Sequence, residues 1–298
     1  MVEDEQEIHD LITNFYKDLF CSCAGNRNDE LLSQVESKVT PLMNQFLLKE
    51  FTDEEIKSAL NNMGDLKAPG MDGMPALFFK QYWDTVGSDV TREVKNLLQG
   101  GEMPKGWNET VVVLIPKVSN PERLKDLRPI SLCNVVYKIA SKVLSNRLKL
   151  ILPEIISLNQ SAFVPGRMIT NNVLLAYELT HYMQTKRSGI QSYAAVKLDM
   201  SKAYDHVEWS FLEKMMIKLG FHERWVATIM KCVTTVSYRI KVNGQLTEEF
   251  MSERGLRQGD PLSPYLFFVV CRGILVLTPC CRKTRRFRSE SVPRCTEH

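Results

Sequence analysis

The chain has 298 residues, 44% hydrophobic and 24% charged, with a formal net charge of +3. That much apolar material buries a core and fills one large domain or two ordinary ones, which excludes a disordered tail. No apolar run reaches the roughly eighteen residues of a membrane helix, and the N-terminus MVEDEQEIHD is acidic where a secretory signal is basic then apolar; the expectation is a soluble intracellular protein, nuclear or cytoplasmic, without a membrane partner.

Basicity belongs to one end of the chain. Residues 271–298 hold seven basic side chains against two acidic ones, which leaves the first 270 residues slightly acidic. Any argument for a polyanion partner therefore rests on local clusters. Four of the eight cysteines (Cys271, Cys280, Cys281, Cys295) crowd into the same stretch and no CxxC pair occurs, so neither a zinc site nor a disulfide framework is expected.

From Glu5 to Phe20, apolar residues at Ile8, Leu11, Ile12, Phe15, Tyr16 and Leu19 keep helical spacing. Thr52 with Glu55 forms a capping box opening a helix to about Met63. A turn-rich segment holding Gly64, Pro69, Gly70, Gly73 and Pro75 follows, and Pro75 suits the first turn of a helix over 76–86. TVVVLIPK is a β-branched strand, and NPERLKDLRPISL reads as loop. Val136, Ile139, Ala140, Val143, Leu144, Leu148 and Ile151 trace one helical stripe, with Lys138, Lys142, Arg147 and Lys149 on the other side; a second helix is expected from Asn172 to Met183.

Next, YAAVKLD is an apolar strand ending on Asp199, with a turn after it. Asp205 and Glu208 suggest a D-x-x-E cap, Leu212, Met215, Met216 and Leu219 a buried stripe, and Gly220 a helix stop. SYRIKVNGQLTEEF is a hairpin turning on Asn243-Gly244. RGLRQGDPLSPYLFFVV is a Gly/Pro-punctuated loop leading into an apolar helix. After Cys271 apolar periodicity stops, and that tail is expected to be disordered.

Asp199 by itself reads first as a turn or cap residue. Its company changes that. LKAPGMDGMP, LIPK with LRPISL, QSAFVPGR, LDMSKAYD and RGLRQGDPLSP stand in order over about two hundred residues, and together residues 61–270 resemble the reverse transcriptase domain of LINE-type, non-LTR retrotransposons. Residues 1–60 are similar to the helical lead-in of such elements. The fold this implies is α+β, the right-hand polymerase fold, with fingers and an incomplete palm and with the thumb absent. The implied activity is RNA-directed DNA polymerase, a nucleotidyltransferase working with Mg²⁺ on an RNA template, a DNA primer and deoxynucleotide triphosphates.

The resemblance also implies site roles. Asp199, helped by the Met200 carbonyl, would be the catalytic metal ligand. Lys117 and Arg128 would reach the nucleotide's phosphates, as a point charge and a planar fork. Tyr204 would lie beneath the sugar, and Gln258 and Gly259 against the incoming nucleotide, where glycine permits close backbone approach. Without the resemblance, Lys117 and Arg128 read as solvated charges and Tyr204 as a buried aromatic. Between Lys105 and Lys149 nine basic residues face three acidic ones, an excess suited to a template backbone, and Asp260 reads as a turn cap.

The sequence departs from the family after PYLFFVV, where an aromatic-Ala-Asp-Asp hairpin is expected. No aspartate follows Asp260, and the later acids Glu290 and Glu297 lie in a polar basic run. An altered reading frame or a retained intron gives such a break. The expectation is a truncated, inactive polymerase fragment with an exposed apolar edge on YAAVKLD; the alternatives are a non-catalytic nucleic-acid-binding remnant or a product without function.

Overall fold

The computed structural model of the chain describes residues 4–22, 32–156, 160–162, 164, 166–185 and 200–272. The predicted strand ending on Asp199 and the tail after 272 lie outside them. Helix α1 (Glu5–Phe20) opens on Asp4, whose carboxylate accepts from the Glu7 amide at 3.0 Å. Helices α2 (Pro41–Leu47) and α3 (Asp53–Asn61) are both capped by threonine. Thr52 Oγ1 accepts from the Glu55 N–H at 3.2 Å while the Glu55 carboxylate accepts from the Thr52 N–H at 3.0 Å, the reciprocal pair that the sequence predicts.

Where one helix is expected over 76–86 there are two, α4 (Ala76–Gln81) and α5 (Trp83–Leu98), parted at Tyr82. Neither glycine nor proline marks that joint. A larger departure follows β1 (Glu109–Pro116): the stretch expected as loop contains a 3-10 turn, Leu124–Asp126, and a strand, β2 (Leu127–Cys133). Pro129 argues against a strand from sequence, yet among the described residues β2 is the edge of the sheet, where a missing N–H is tolerated. The two strands pair antiparallel with Val112 opposite Ser131 and Ile115 opposite Arg128.

Helix α6 (Val135–Ile155) carries the predicted stripe and α7 spans Ile169–Thr185, slightly longer than expected. The apolar residues Val173, Leu174 and Leu175 of α7 are exposed. Helix α8 (Trp209–Leu219) ends on Gly220 at φ 94°, and α9 (Glu223–Thr234) leads into β3 (Ser237–Val242). Asn243 and Gly244 take φ 48° and 88°, turning the chain into β4 (Gln245–Leu246) as the sequence predicts; β5 (Phe250–Met251) returns along β3. Residues 263–272 form α10, the last helix among the described residues.

The result is a mixed fold with sheet order β2-β1-β3-β4, in which β1 and β3 run parallel. One apolar core lies among the helices, around Leu144, Leu148, Trp225 and Leu262. A second lies between α1 and the sheet, where Phe20 stacks on Tyr238 with ring centroids 5.1 Å apart. No helix of the described residues is long and apolar enough to cross a membrane.

Two polar residues change places relative to expectation. Asp205 does not cap α8: Glu208 is the N-cap, its carboxylate pairs with Arg254 at 3.1 Å, and Asp205 is buried. Arg147 does not join the solvated side of α6, being 4% exposed. Its guanidinium donates to the carbonyls of Leu47, Lys49 and Glu50 and pairs with Glu55 at 2.7 Å, and it lies 3.7 Å from the Phe51 ring centroid. The arginine thus satisfies the loop between α2 and α3 from within. Burial pushes the Glu55 carboxyl up, but the Arg147 and Thr52 hydrogen bonds outweigh it, so its pKa ends below the usual 4.5. Its stabilising contribution is present above 4.5 and lost as pH falls through the lower folded value. Arg147→Ala should lower the unfolding free energy by about 3 kcal/mol, because it strands three carbonyls, and should shrink that acid-side loss. An unfolding free energy from urea melts that falls by less than about 0.3 kcal/mol would refute the role.

Candidate functional site

The site is built on the loop that joins β5 to α10. Among the bonds that fix its backbone, the Gly255 N–H donates to Val207 O at 2.8 Å, the Leu256 N–H to Tyr204 O at 2.8 Å, and the Ser131 N–H to Gln258 O at 2.8 Å. Gly259 takes φ 119°, and a Cβ there would stand 2.9 Å from Ser131 O. Glycine is needed for both conformation and space. This presses the loop against β2 and aims Gln258 into a cleft of about 180 Å³.

Lys117, Leu127, Arg128 and Pro129 of the β1–β2 hairpin form one wall of the cleft, and Tyr16 and Leu19 of α1, with Lys202, Asp205 and Gln258, form the rest. Three of the predicted residues, Lys117, Arg128 and Gln258, therefore meet in one cavity. The hairpin places the first two: the Lys117 N–H donates to Asp126 O at 2.8 Å and its ammonium to Lys125 O at 3.0 Å. Gly259 is next door, as backbone. Tyr204 does not line the cleft; its half-buried ring stacks on Phe267 at 4.8 Å. Met200 is exposed, and Asp199 lies outside the described residues.

Sequence reasoning missed Asp205 and Lys202. The Gln258 amide donates to Asp205 Oδ1 at 3.2 Å. Burial raises the Asp205 carboxyl above its ordinary value of 3.8, despite that bond and the Lys202, His206 and Lys117 cations nearby. Lys202 holds φ 51°, uncommon for a residue with a Cβ, and its ammonium lies 4.3 Å from the Phe15 ring centroid. Burial lowers its pKa. The cleft is thus a cationic pocket around one reluctant carboxylate, a chemistry suited to an anion such as phosphate.

Beneath the loop, Arg257 and Asp260 form a buried pair at 2.8 Å, each side chain 4% exposed. Asp260 also accepts from Tyr137 Oη at 2.7 Å, from the Ser141 hydroxyl and from the Leu262 N–H at 3.0 Å. Arg257 donates to Asn108, to Thr110 Oγ1 at 3.3 Å and to Cys232 O at 3.1 Å, under the Tyr137 ring. The turn cap expected at Asp260 exists and is the smaller part of its role.

The donor set for a divalent cation is poor among the described residues. No three His, Cys, Asp or Glu side chains gather there, both Asp260 oxygens are consumed, and Asp205 is buried on Gln258. The described residues do not supply a two-cation centre.

Residues 115–278 match the family described as reverse transcriptase (RNA-dependent DNA polymerase), and the chain belongs to that family. Its relatives put it with the reverse transcriptases of non-LTR retrotransposons. It is 34% identical over 278 residues to the transposon TX1 uncharacterized 149 kDa protein of Xenopus laevis, an alignment covering 93% of this chain and 21% of that protein. It is 28% identical over 227 residues to the retrovirus-related Pol polyprotein from type-1 retrotransposable element R2 of Popillia japonica, covering 74% and 30%. A third relative, the probable RNA-directed DNA polymerase from transposon BS of Drosophila melanogaster, is 23% identical, covering 90% and 30%. The chain spans 21–30% of the length of these three relatives.

Gly259→Ala should cost about 2 kcal/mol in unfolding free energy from strain and the clash with Ser131. An unchanged urea midpoint would show that the loop can yield. For Asp205 the sign runs the other way from Glu55. A raised folded pKa means the native state holds the proton more tightly, so stability falls as pH climbs from 3.8 through the folded value. Asp205→Asn should therefore match or exceed the parent in stability at neutral pH, with the gap closing in acid; a variant less stable at neutral pH than in acid, relative to the parent, would contradict this.

Proposed function

We propose that residues 61–270 are the fingers and part of the palm of an RNA-directed DNA polymerase, and that the cleft around Gln258 receives the triphosphate of a deoxynucleotide. The convergence of Lys117, Arg128 and Gln258 on one cavity carries this reading. Lys117 and Arg128 neutralise phosphate oxygens, and Gln258, oriented by Asp205, packs against the incoming nucleotide. Gly259 lets the backbone come close. Tyr204, braced by Phe267, is the ring beneath the sugar. The basic residues of the β1–β2 hairpin and the exposed side of α6, without Arg147, face the template backbone.

We further propose that these 298 residues bind template, primer and nucleotide without extending the primer. Mg²⁺ would fall to Asp199 and the Met200 carbonyl. Paired metal ions need several carboxylates, and no aspartate follows Asp260 in these residues. The loss of metal-borne charge stabilisation is worth several kcal/mol, at tenfold in rate per about 1.4 kcal/mol.

Two assays on the full chain separate the parts of this proposal. Primer extension on an RNA template with Mg²⁺ should give no product above background; product that disappears in Asp199→Asn would overturn the inactivity. Binding to the same duplex should weaken with salt. In Lys117→Ala/Arg128→Ala, deoxynucleotide binding should fall about tenfold or more while the fold is kept. Unchanged nucleotide affinity in that variant would remove the cleft's assignment.

A further inference from the structure

Three cations line the cleft around Gln258: Lys117 and Arg128 from the β1–β2 hairpin, and Lys202 from the turn before α8. Two features set Lys202 apart. The first is its backbone, at φ 51°. The turn holds it there, because the Lys202 carbonyl accepts from the Asp205 N–H at 2.9 Å and from the His206 N–H at 3.2 Å. Glycine or asparagine would take that conformation with less strain. Strain of this kind collects at ligand clamps, and what lysine adds is an ammonium at the cleft wall.

The second feature is the partner of that ammonium. It lies 4.3 Å from the Phe15 ring centroid, and among the described residues it makes neither a salt bridge nor a hydrogen bond. Asp205 lines the same cleft but engages the Gln258 amide instead. Lys117, by contrast, has its ammonium fixed on Lys125 O at 3.0 Å. A half-buried ammonium on a phenyl face is weakly held beside one that makes charge-assisted hydrogen bonds to an anion. Its flexible four-carbon stem lets it exchange the ring for an oxygen. Phe15 belongs to α1, where it meets Tyr16 edge-on at 5.2 Å, and Tyr16 itself lines the cleft.

We propose that Lys202 is a third phosphate-binding cation of the cleft, and that Phe15, a positioning residue, holds its ammonium at the cleft wall, so that α1 contributes to nucleotide binding. This rests on the assignment of the cleft to a triphosphate and adds to it a contact from outside the β1–β2 hairpin. A lysine that only packed on Phe15 would affect stability and leave phosphate affinity alone.

The test uses the full chain without added divalent cation, with inorganic tripolyphosphate and thymidine triphosphate as probes and titration calorimetry as the readout. Lys202→Met and Lys202→Gln, which both remove the charge, should each weaken both probes about tenfold while the far-ultraviolet circular dichroism stays that of the parent. Phe15→Leu should weaken them about threefold in the parent and by nothing measurable in Lys202→Met, because the ring acts through the ammonium. Parent-like affinity in both Lys202 variants, beside a clear loss in Lys117→Ala/Arg128→Ala, would overturn the role of Lys202 and leave the triphosphate cleft standing. A parent that binds neither probe would remove the cleft's assignment and this proposal with it. Equal losses from Phe15→Leu with and without Lys202 would make Phe15 a packing residue and overturn the part given to α1.

Discussion

Between Gly255 and Leu262 the chain crosses its own interior carrying an arginine and an aspartate, and the rest of the site depends on how those two charges are matched. Taking either ion out of water costs several kcal/mol, and a single partner rarely repays it. Here Asp260 collects donors from α6 and from its own turn, while Arg257 spends its fork on Asn108, Thr110 and the Cys232 carbonyl. One short segment is thereby tied to β1, α6 and α9 together. Such a network fixes position more than it adds stability, since apolar residues of equal volume would pack as well.

What is fixed is the backbone above the pair. With Arg257 and Asp260 anchored below, Gln258 and Gly259 have to ride over the edge strand β2, and the Gln258 carbonyl takes the Ser131 N–H. The absent side chain at 259 lets the loop come that close. The glutamine then faces Lys117 and Arg128 across the cleft, and Asp205 holds its amide from behind. The loop is positioned by buried charges that never meet solvent, while the cations across the cleft are exposed.

The same division separates residues that look alike in sequence. Arg147 and Arg128 both sit in the basic stretch from 105 to 149. One is consumed by the carbonyls of the α2–α3 loop, and the other stands exposed at the mouth of a cavity.

The sequence alone determined whatever depends on near neighbours. The amphipathic α1, the Thr52–Glu55 box, the Asn243-Gly244 turn and the Gly220 stop follow from contacts within a few residues, and the ordered blocks pointed to the family and to Lys117, Arg128 and Gln258. Tertiary structure decided the rest. Pro129 could be read as a strand residue only once β2 was known to be an edge, and Tyr82 carries no local mark of a helix break. Asp205 and Arg147 were legible as a local cap and a solvated charge and are instead satisfied by partners far along the chain, while Asp260 keeps its turn bond and adds Tyr137 and Ser141. A buried charge takes its role from whatever packing brings within hydrogen-bond reach, and spacing along the chain does not carry that information.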